Sequence, residues 1–422
     1  MEKITIKKIN EDIYYEKLDN GLDVYLYVNK NIHNNYVTFT TRYGSVYNEF
    51  KCDGKLMKVP NGIAHFLEHK VFVQKDDPQP EEFFGENGGI CNAYTTFKNT
   101  TYLFNSPEKV IENTVYLLDF VQDLYLTEEN VESEKGIITQ EIRMCDDRPS
   151  DILYDKIREN TIHNNPFKES IIGTVEEVNS ITKELLEKCY KTFYHPGNMF
   201  MVVTGNFDKD EMLKAIKKNQ DSKKFDKYLV PELKRFSEPD KVVKEYEVIK
   251  CNTNIPKVAI NFKYPLKKDD DIRRLSIYMF LIFNLLFGDT SDTDSELKEK
   301  GIITNSLYYN LLNIDTHFVI SLINSTDKYE QLIEEIENKL RNIKINKSEF
   351  ERKKKVLISN EVFSFENIEM INDMITDNII FDNQICDNVT EIISSLTIDE
   401  MNKIIKSIDF NNKSIVILKK EG

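Results

Sequence analysis

One short cluster in the 422-residue sequence combines residue types and a spacing that could do chemistry. His65, Glu68 and His69 stand at positions i, i+3 and i+4, so a helix would place all three side chains on one face. Two imidazoles one turn apart can hold a zinc ion, and a neighbouring carboxylate can take a proton from a water molecule. The order H-x-x-E-H inverts the H-E-x-x-H motif of zinc peptidases but supplies the same groups. We therefore predict a zinc-binding helix.

The alternative is that these residues share a solvated helix face. The flanking residues Ala64, Phe66 and Leu67 are apolar, which favours a buried helix instead. The chain has only six histidines in all, so a chance match to the motif is rare. Both observations favour the metal.

Two histidines leave a catalytic zinc site one protein ligand short. The candidates are acids of a second predicted helix, which begins near Thr127 and runs through Ile142. At about 100° per residue, Glu134 and Glu141 fall on the apolar stripe of that helix, whereas Glu132 lies opposite Glu141. A buried acid needs a partner. From the helix geometry alone, that partner is either the metal or a buried Lys or Arg.

Hydrophobic periodicity predicts the elements that must position these groups. An Asn-Gly turn at residues 20–21 joins two alternating runs and predicts a hairpin. The rest of the first half predicts a strand at 36–42, an amphipathic helix from 110, the helix of 127–142 and a buried strand at 199–204. The second half repeats this outline with a strand at 258–264, an apolar helix at 272–287, a strand at 317–323, helical regions from 332 and 348, and a strand at 414–418.

These patterns predict an α+β fold built from two tandem homologous halves. Each half is an α/β sandwich in which an antiparallel-rich sheet is covered by helices. A polar, proline-containing stretch separates them, so we divide the chain into a zinc-binding half (1–225), a linker (226–247) and a C-terminal half (248–422). We expect the C-terminal half to enclose substrate and to make dimer contacts.

Composition excludes several classes of partner. The net charge of −15 disfavours nucleic acid and anionic membrane surfaces, which bind basic faces. The first residues lack the pattern of a signal peptide, and the apolar run at 277–287 is too short to span a bilayer. The six cysteines lie far apart, which favours free thiols over a disulfide framework. We expect a cytoplasmic protein that binds neither nucleic acid nor membrane.

Several motifs resemble those of the insulinase/pitrilysin family of metallopeptidases. Gly-Ile-Ala-His-Phe-Leu-Glu-His at 62–69 is similar to the active-site helix of that family, and further matches extend along the chain. They are Leu-Asp-Asn-Gly-Leu at 18–22, Asn-Ala-Tyr-Thr at 92–95, Gly-Thr at 173–174 and Tyr-His-Pro-Gly-Asn-Met at 194–199. The pattern resembles the short bacterial branch of processing-peptidase-like proteins. In that branch each chain forms one half of a clamshell, so the resemblance implies a zinc metalloendopeptidase that works as a dimer.

The resemblance also implies roles for individual residues. The segment 134–142 matches the family's later helix, which makes Glu141 the third zinc ligand beside His65 and His69. Glu134, seven residues earlier, becomes the acid that supports the site. Glu68 becomes the general base that activates a zinc-bound water. The substrate is a peptide or small unfolded polypeptide, which adds to a sheet edge at Asn92, Ala93 and Tyr94.

One segment departs from the family pattern. Complete members carry an Arg and a Tyr that grip the substrate, and Lys298 and Thr304 stand at the matching positions. A lysine cannot replace the planar fork of an arginine. Either Tyr308 or Tyr309 takes over the role, or the chain forms a heterodimer with a zinc-less relative that supplies Arg and Tyr. The alternative to an enzyme is a non-catalytic binding or assembly subunit of a peptidase-like heterodimer.

Overall fold

The computed structural model describes residues 1–76 and 78–420. The strands before residue 236 are β1 (Glu2–Ile6), β2 (Glu11–Lys17), β3 (Asp23–Val28), β4 (Asn35–Thr41), β5 (Glu49–Cys52), β6 (Lys55–Lys58), β7 (Ile90–Thr95), β8 (Thr100–Ser106), β9 (Met199–Gly205) and β10 (Glu232–Leu233). The helices of the same part are α1 (Ile63–Val71), α2 (Pro80–Glu86), α3 (Val110–Val121), α4 (Glu128–Asp146), α5 (Pro149–Thr161), α6 (Val175–Ser180), α7 (Lys183–Phe193) and α8 (Lys209–Asp221).

The later part of the chain holds fewer strands and longer helices. Its strands are β11 (Tyr246–Lys250), β12 (Lys257–Pro265), β13 (Tyr308–Asn313), β14 (His317–Ser325) and β15 (Lys413–Lys419). Its helices are α9 (Ile272–Phe287), α10 (Asp292–Glu299), α11 (Tyr329–Arg341), α12 (Lys347–Ser364), α13 (Ile368–Asp382), α14 (Val389–Ser395) and α15 (Ile398–Ser407). No helix in the described residues is long and apolar enough to cross a membrane.

Two large sheets share one topology. The first has the order β1-β2-β3-β9-β4-β8-β7 and the second has the order β11-β15-β12-β14-β13. In each sheet one pair is parallel, β3 with β9 and β11 with β15, and the remaining neighbours are antiparallel. The strands β3-β9-β4-β8-β7 therefore correspond one by one to β11-β15-β12-β14-β13. This agreement confirms the predicted α+β fold with a repeated half, built on open mixed sheets.

The chain forms two compact units that are not continuous in sequence. The first unit comprises Met1–Ile142, Ser170–Arg235 and Val362–Asn388, and the second comprises Arg143–Glu169, Phe236–Glu361 and the chain from Val389 onwards. The helix α13 thus belongs to the first unit, where it packs on β4 and β9, and α5 belongs to the second, where it packs on β12 and β15. The predicted linker, 226–247, contains the passage between the units after Arg235. The predicted boundaries place α5 in the first half and α13 in the second, whereas in the structure each of these helices belongs to the other unit.

The seven-stranded sheet of the first unit is covered on both faces. One face packs against α1, α3, α7 and α8 through a cluster that includes Phe39, Phe66 and Leu117. On the other face, Ile371, Ile375 and Ile379 of α13 pack on aromatic residues of the strands. This burial fixes the register of the strands, because a shift by one residue would exchange the two faces.

A crossing of two backbone segments fixes the start of α1. Gly62 precedes the helix with φ 82°, and a Cβ there would lie 2.3 Å from the carbonyl oxygen of Ile172. Gly173 has φ 74°, and its Cβ would lie 2.7 Å from the carbonyl oxygen of Asn61. Only glycine fits a left-handed position at such close approach. These two glycines therefore set where the helix with the histidines begins.

Candidate metal centre

The helix α1 brings the H-x-x-E-H residues to one place. It packs on β7 and β8 of the first sheet, with Phe66, Leu67 and Val71 buried in the core. On its other side, the rings of His65 and His69 lie edge to face with their centroids 4.6 Å apart. The helix is therefore largely buried, as the apolar flanking residues predicted.

Glu141 of α4 meets both imidazoles. His65 Nε2 lies 3.8 Å from Glu141 Oε1, and His69 Nε2 lies 3.7 Å from Glu141 Oε2. One ligand atom from each residue can be chosen so that all three lie within 4.8 Å of one another. Donors at about 2.0–2.2 Å from a tetrahedral ion are separated by roughly 3.3–3.6 Å. The two contacts of Glu141 are slightly longer than this spacing, so a small inward shift of the side chains would let them bind one ion. The three residues named from the sequence as ligands thus lie together, while Glu132 is exposed and pairs with Lys135.

Glu134 of α4 has two partners, the half-buried His69 and the buried Lys70. Its Oε1 lies 3.0 Å from His69 Nδ1, and its Oε2 accepts a hydrogen bond of 3.2 Å from Lys70 Nζ. Both alternatives left open by the helix geometry are therefore realised in this one acid, which contacts the metal site and a buried lysine. An Nδ1–H that donates to Glu134 leaves the lone pair of His69 at Nε2, the atom that faces Glu141.

The two histidines have opposite electrostatic surroundings. Burial, together with the neighbouring His69, lowers the pKa of His65 to about 3, so its imidazole is neutral at physiological pH. Its Nδ1 is buried and has no hydrogen-bond partner among the described residues. Burial also acts to lower the pKa of His69, but the hydrogen bond and charge of Glu134 outweigh it and raise that pKa. A cation that binds at His69 therefore competes with a proton for the ring.

Glu68 lies beside the ligand cluster and is held by a threonine. Its Oε2 accepts a hydrogen bond of 2.6 Å from Thr95 Oγ1, at the end of β7. Burial raises the pKa of Glu68 above its ordinary value, although the hydrogen bond from Thr95 acts in the opposite direction. Such a carboxylate suits general-base chemistry, because a raised pKa is closer to neutral pH, where a general base works best. The sequence motif contained Thr95, but its contact with Glu68 was not predicted.

Strand β7 carries the three residues expected to bind substrate. Asn92, Ala93 and Tyr94 pair with Leu103, Tyr102 and Thr101 of β8, and β7 is the last strand of its sheet in the described residues. Asn92 therefore lies within a strand. Its Oδ1 accepts a hydrogen bond of 2.8 Å from the Ala93 backbone N–H. The role of these residues in substrate binding stays a prediction.

The residues that depart from the family pattern lie in the second unit. Lys298 Nζ pairs with Asp294 Oδ2 at 2.7 Å and donates to Ser306 Oγ at 2.9 Å. Thr304 and Tyr308 are exposed. The hydroxyl of Tyr309 is buried without a partner among the described residues. Lys298 is therefore held by an internal ion pair.

Comparison with known proteins finds similar peptidase sequences along the chain. The family model of insulinase (peptidase family M16) matches residues 55–175, and that of the peptidase M16 inactive domain matches residues 180–357. The uncharacterized zinc protease YmfH of Bacillus subtilis (strain 168) is 36% identical over 416 residues, covering 96% of each chain. The probable mitochondrial-processing peptidase subunit beta of Arabidopsis thaliana is 30% identical over 166 residues, which cover 37% of this chain and 30% of that protein.

Solved structures show the same fold over the whole length. An M16-like peptidase from Alicyclobacillus acidocaldarius matches with a TM-score of 0.94 and 30% identity, covering 99% of this chain and 100% of that one. A protease from Helicobacter pylori, 20% identical, matches in fold with a TM-score of 0.82 over 97% of this chain and 99% of that one. The motifs, the repeated sheets and these matches lead to one conclusion: the chain belongs to the insulinase family, peptidase family M16.

Proposed function

We propose that this chain is a zinc-dependent endopeptidase that cleaves peptides or small unfolded polypeptides. The observation that carries the proposal is the convergence of His65, His69 and Glu141 beside the half-buried carboxylate of Glu68. The three residues would hold Zn²⁺, since two imidazoles and one carboxylate are the donor set of many catalytic zinc sites. Bound zinc would act as a Lewis acid on the scissile carbonyl and would acidify water.

The chain's own residues would move the proton. Glu68 takes a proton from the attacking water and later gives it to the leaving amine. Thr95 donates to Glu68 Oε2 and so fixes the orientation of the carboxyl group. Glu134 accepts from His69 Nδ1 and so keeps the ring turned with Nε2 toward Glu141. Relatives named as zinc proteases support this assignment.

The exposed edge of β7 would bind the substrate. An extended peptide can add to an unpaired strand edge through backbone hydrogen bonds. Asn92, Ala93 and Tyr94 lie on that edge strand, and Thr95 at its end contacts the proposed base. A peptide paired with β7 would therefore reach Glu68 in a fixed register.

We further propose that the chain acts as a dimer and that a zinc-less relative supplies an Arg and a Tyr. Peptide hydrolysis needs donors aimed at the developing oxyanion. The Asp294 carboxylate and the Ser306 hydroxyl already engage the ammonium of Lys298, which supports a donor from another subunit. The same observation favours the second candidate function, a non-catalytic subunit of a peptidase-like heterodimer.

Metal analysis of the purified protein tests the zinc site. We expect about one zinc per chain, removable by a chelator, in line with three protein ligands. Glu141→Gln should lower zinc occupancy because it removes the charge of the third ligand. Glu132→Gln, on the exposed face of the same helix, is the matched control and should leave it unchanged. Equal occupancy in the wild type and in Glu141→Gln would refute the ligand assignment.

Cleavage of a long unstructured peptide tests the partner and separates the two candidate functions. We expect the purified chain to bind zinc but to turn over slowly, since loss of one oxyanion donor costs roughly 100- to 1000-fold. Addition of a relative with the missing Arg and Tyr should restore the rate without adding zinc. Full activity of the chain alone would contradict the partner proposal. No cleavage with any such relative, in protein that holds zinc, would favour the non-catalytic subunit.

A further inference from the structure

We propose that Lys70, the residue directly after the second histidine, is a positioning residue of the metal centre. Its ammonium holds Glu134, and Glu134 in turn holds the ring of His69. The inference rests on the proposed zinc site and adds to it a residue that the H-x-x-E-H motif does not contain.

The contacts of Lys70 join helix α1 to helix α4. Its side chain is 1% exposed, and its Nζ donates to the Asn130 carbonyl oxygen at 3.0 Å and to Glu134 Oε2 at 3.2 Å. The other oxygen of the same carboxylate, Glu134 Oε1, lies 3.0 Å from His69 Nδ1. Two consecutive residues of α1 thus grip one acid of α4, one on each oxygen. Neither oxygen is free to turn away from its partner.

The location of Lys70 makes a purely packing role unexpected. Its neighbours on the buried side of α1, Leu67 and Val71, are fully buried, and an apolar residue would complete that surface. A buried ion pair seldom adds stability over apolar residues of the same size, because both charges must lose their hydration. What the lysine adds is a fixed counter-charge for Glu134. With it, the carboxylate stays in place beside His69 whether or not an ion is bound.

The second unit offers a matched ion pair without a metal site. Lys263 Nζ lies 2.6 Å from Glu238 Oε1, and both side chains are 0% exposed. The second oxygen of Glu238 accepts backbone N–H groups of Asn164 and Asn165. Loss of this lysine should therefore cost stability in the same way as loss of Lys70, while leaving the zinc ligands untouched.

The experiment measures zinc affinity by competition with a chromophoric chelator. The proteins are the wild type, Lys70→Met, Glu134→Gln, the double variant that combines both, and Lys263→Met as control. We expect Lys70→Met and Glu134→Gln each to weaken zinc binding by roughly 10- to 100-fold, the usual cost of losing a group that orients a ligand. The zinc affinity of the double variant should be no lower than that of whichever single variant binds zinc less tightly, since Lys70 acts through Glu134. Lys263→Met should bind zinc as the wild type does.

Each outcome decides between the possibilities. Wild-type affinity in folded Lys70→Met would overturn the inference, and so would a double variant whose loss equals the product of the two single losses. An equal loss in Lys263→Met would show a general effect of destabilisation. If Lys70→Met does not fold, Lys70→Gln, which removes the charge but keeps a shorter amide donor, replaces it with a smaller expected loss. A wild type that takes up no zinc would instead refute the proposed metal centre itself.

Discussion

In each of the two large sheets a helix packs against the corresponding edge strand, β7 in the first and β13 in the second. The side chains between helix and strand are polar in the first sheet and aromatic in the second. In the first unit α1 packs on β7, and the contact is a hydrogen bond between Glu68 and Thr95. In the second unit α9 packs on β13, and Phe283 stacks on Tyr309 with ring centroids 5.6 Å apart. The aromatic version shows what this junction looks like without a carboxylate. The polar version buries groups that cost stability, as functional sites commonly do.

The two helices also begin in different ways. Asp271 caps α9 by accepting from the Arg274 backbone N–H, and the helix then runs for 16 residues. The helix α1 has no side-chain cap, spans 9 residues and starts where Gly62 meets Gly173. Its position therefore depends on the crossing of two chain segments, whereas that of α9 depends on its own sequence. Substitutions at the two junctions should separate activity from stability.

The largest expected effect is on activity at the polar junction. Glu68→Gln should lower peptide hydrolysis by roughly a hundredfold or more, the usual cost of losing a general base. Zinc content should not change, because Glu68 is not one of the three ligands. Thermal stability should be equal or higher, since a buried charge is removed. Steady-state cleavage, zinc analysis and a melting curve check this, and a rate within a factor of about ten of the wild type would assign the base elsewhere.

The aromatic junction should respond in the opposite sense. Phe283→Ala removes a buried ring that stacks on Tyr309 and should lower the free energy of unfolding by about 3–5 kcal/mol. Cleavage per folded molecule should stay close to that of the wild type. Urea unfolding is best followed by far-ultraviolet circular dichroism, because this chain has no tryptophan whose fluorescence could report on unfolding. A selective loss of activity without loss of stability would break the contrast between the halves.

A smaller effect is expected where the edge strand meets the base. Thr95→Val removes the hydroxyl but keeps the shape, and a hydrogen bond to a charged group contributes about 1.5–3 kcal/mol. We expect kcat to fall roughly tenfold or more by that estimate, with zinc content unchanged. Thr95→Ser keeps the donor and should keep most of the rate. If valine and serine lower kcat equally, the loss comes from packing and the hydrogen bond plays no part.

The smallest effect is expected at Tyr309. Its buried hydroxyl has no partner among the described residues, and burial raises its pKa well above the ordinary value. Tyr309→Phe should therefore leave cleavage unchanged and raise the free energy of unfolding by up to about 1 kcal/mol, because an unsatisfied buried group is removed. A clear fall in kcat would instead support the alternative in which Tyr309 grips the substrate in place of a partner.

Much of this fold was predictable because its longest elements are strongly periodic. The apolar run at 272–287 coincides with α9, and the cap at Thr127 is present, since its Oγ1 accepts from the Asn130 backbone N–H. The short strands β5, β6, β10 and β13 were not predicted, because strands of two to six residues carry too little pattern. The reciprocal placement of α5 and α13 could not be predicted either, since amphipathicity indicates a buried face but not what covers it.

Some residues of the site were likewise predictable from the sequence, and others were not. The motif predicted His65 and His69, the helical stripe reduced the further acids to Glu134 and Glu141, and the family resemblance selected Glu141. The structure brings His65, His69 and Glu141 together. The roles of Thr95 and Lys70 were not predicted from the sequence, because their contacts depend on how β7 and α4 pack around α1. The position of Lys70 next to Val71 and three residues after Leu67, on the apolar side of the predicted helix, was the available signal.

The exchange of α5 and α13 has a consequence for the order of events on the ribosome. The first unit needs Val362–Asn388 to cover one face of its sheet, so the outer surfaces of Tyr27 and Phe200 stay uncovered until that segment has been made. At about 5–20 residues per second, the wait after Arg235 is on the order of ten seconds or more. During that time the nascent chain presents an apolar sheet to its surroundings. A gene fragment that stops at the linker would encode a protein held permanently at this stage.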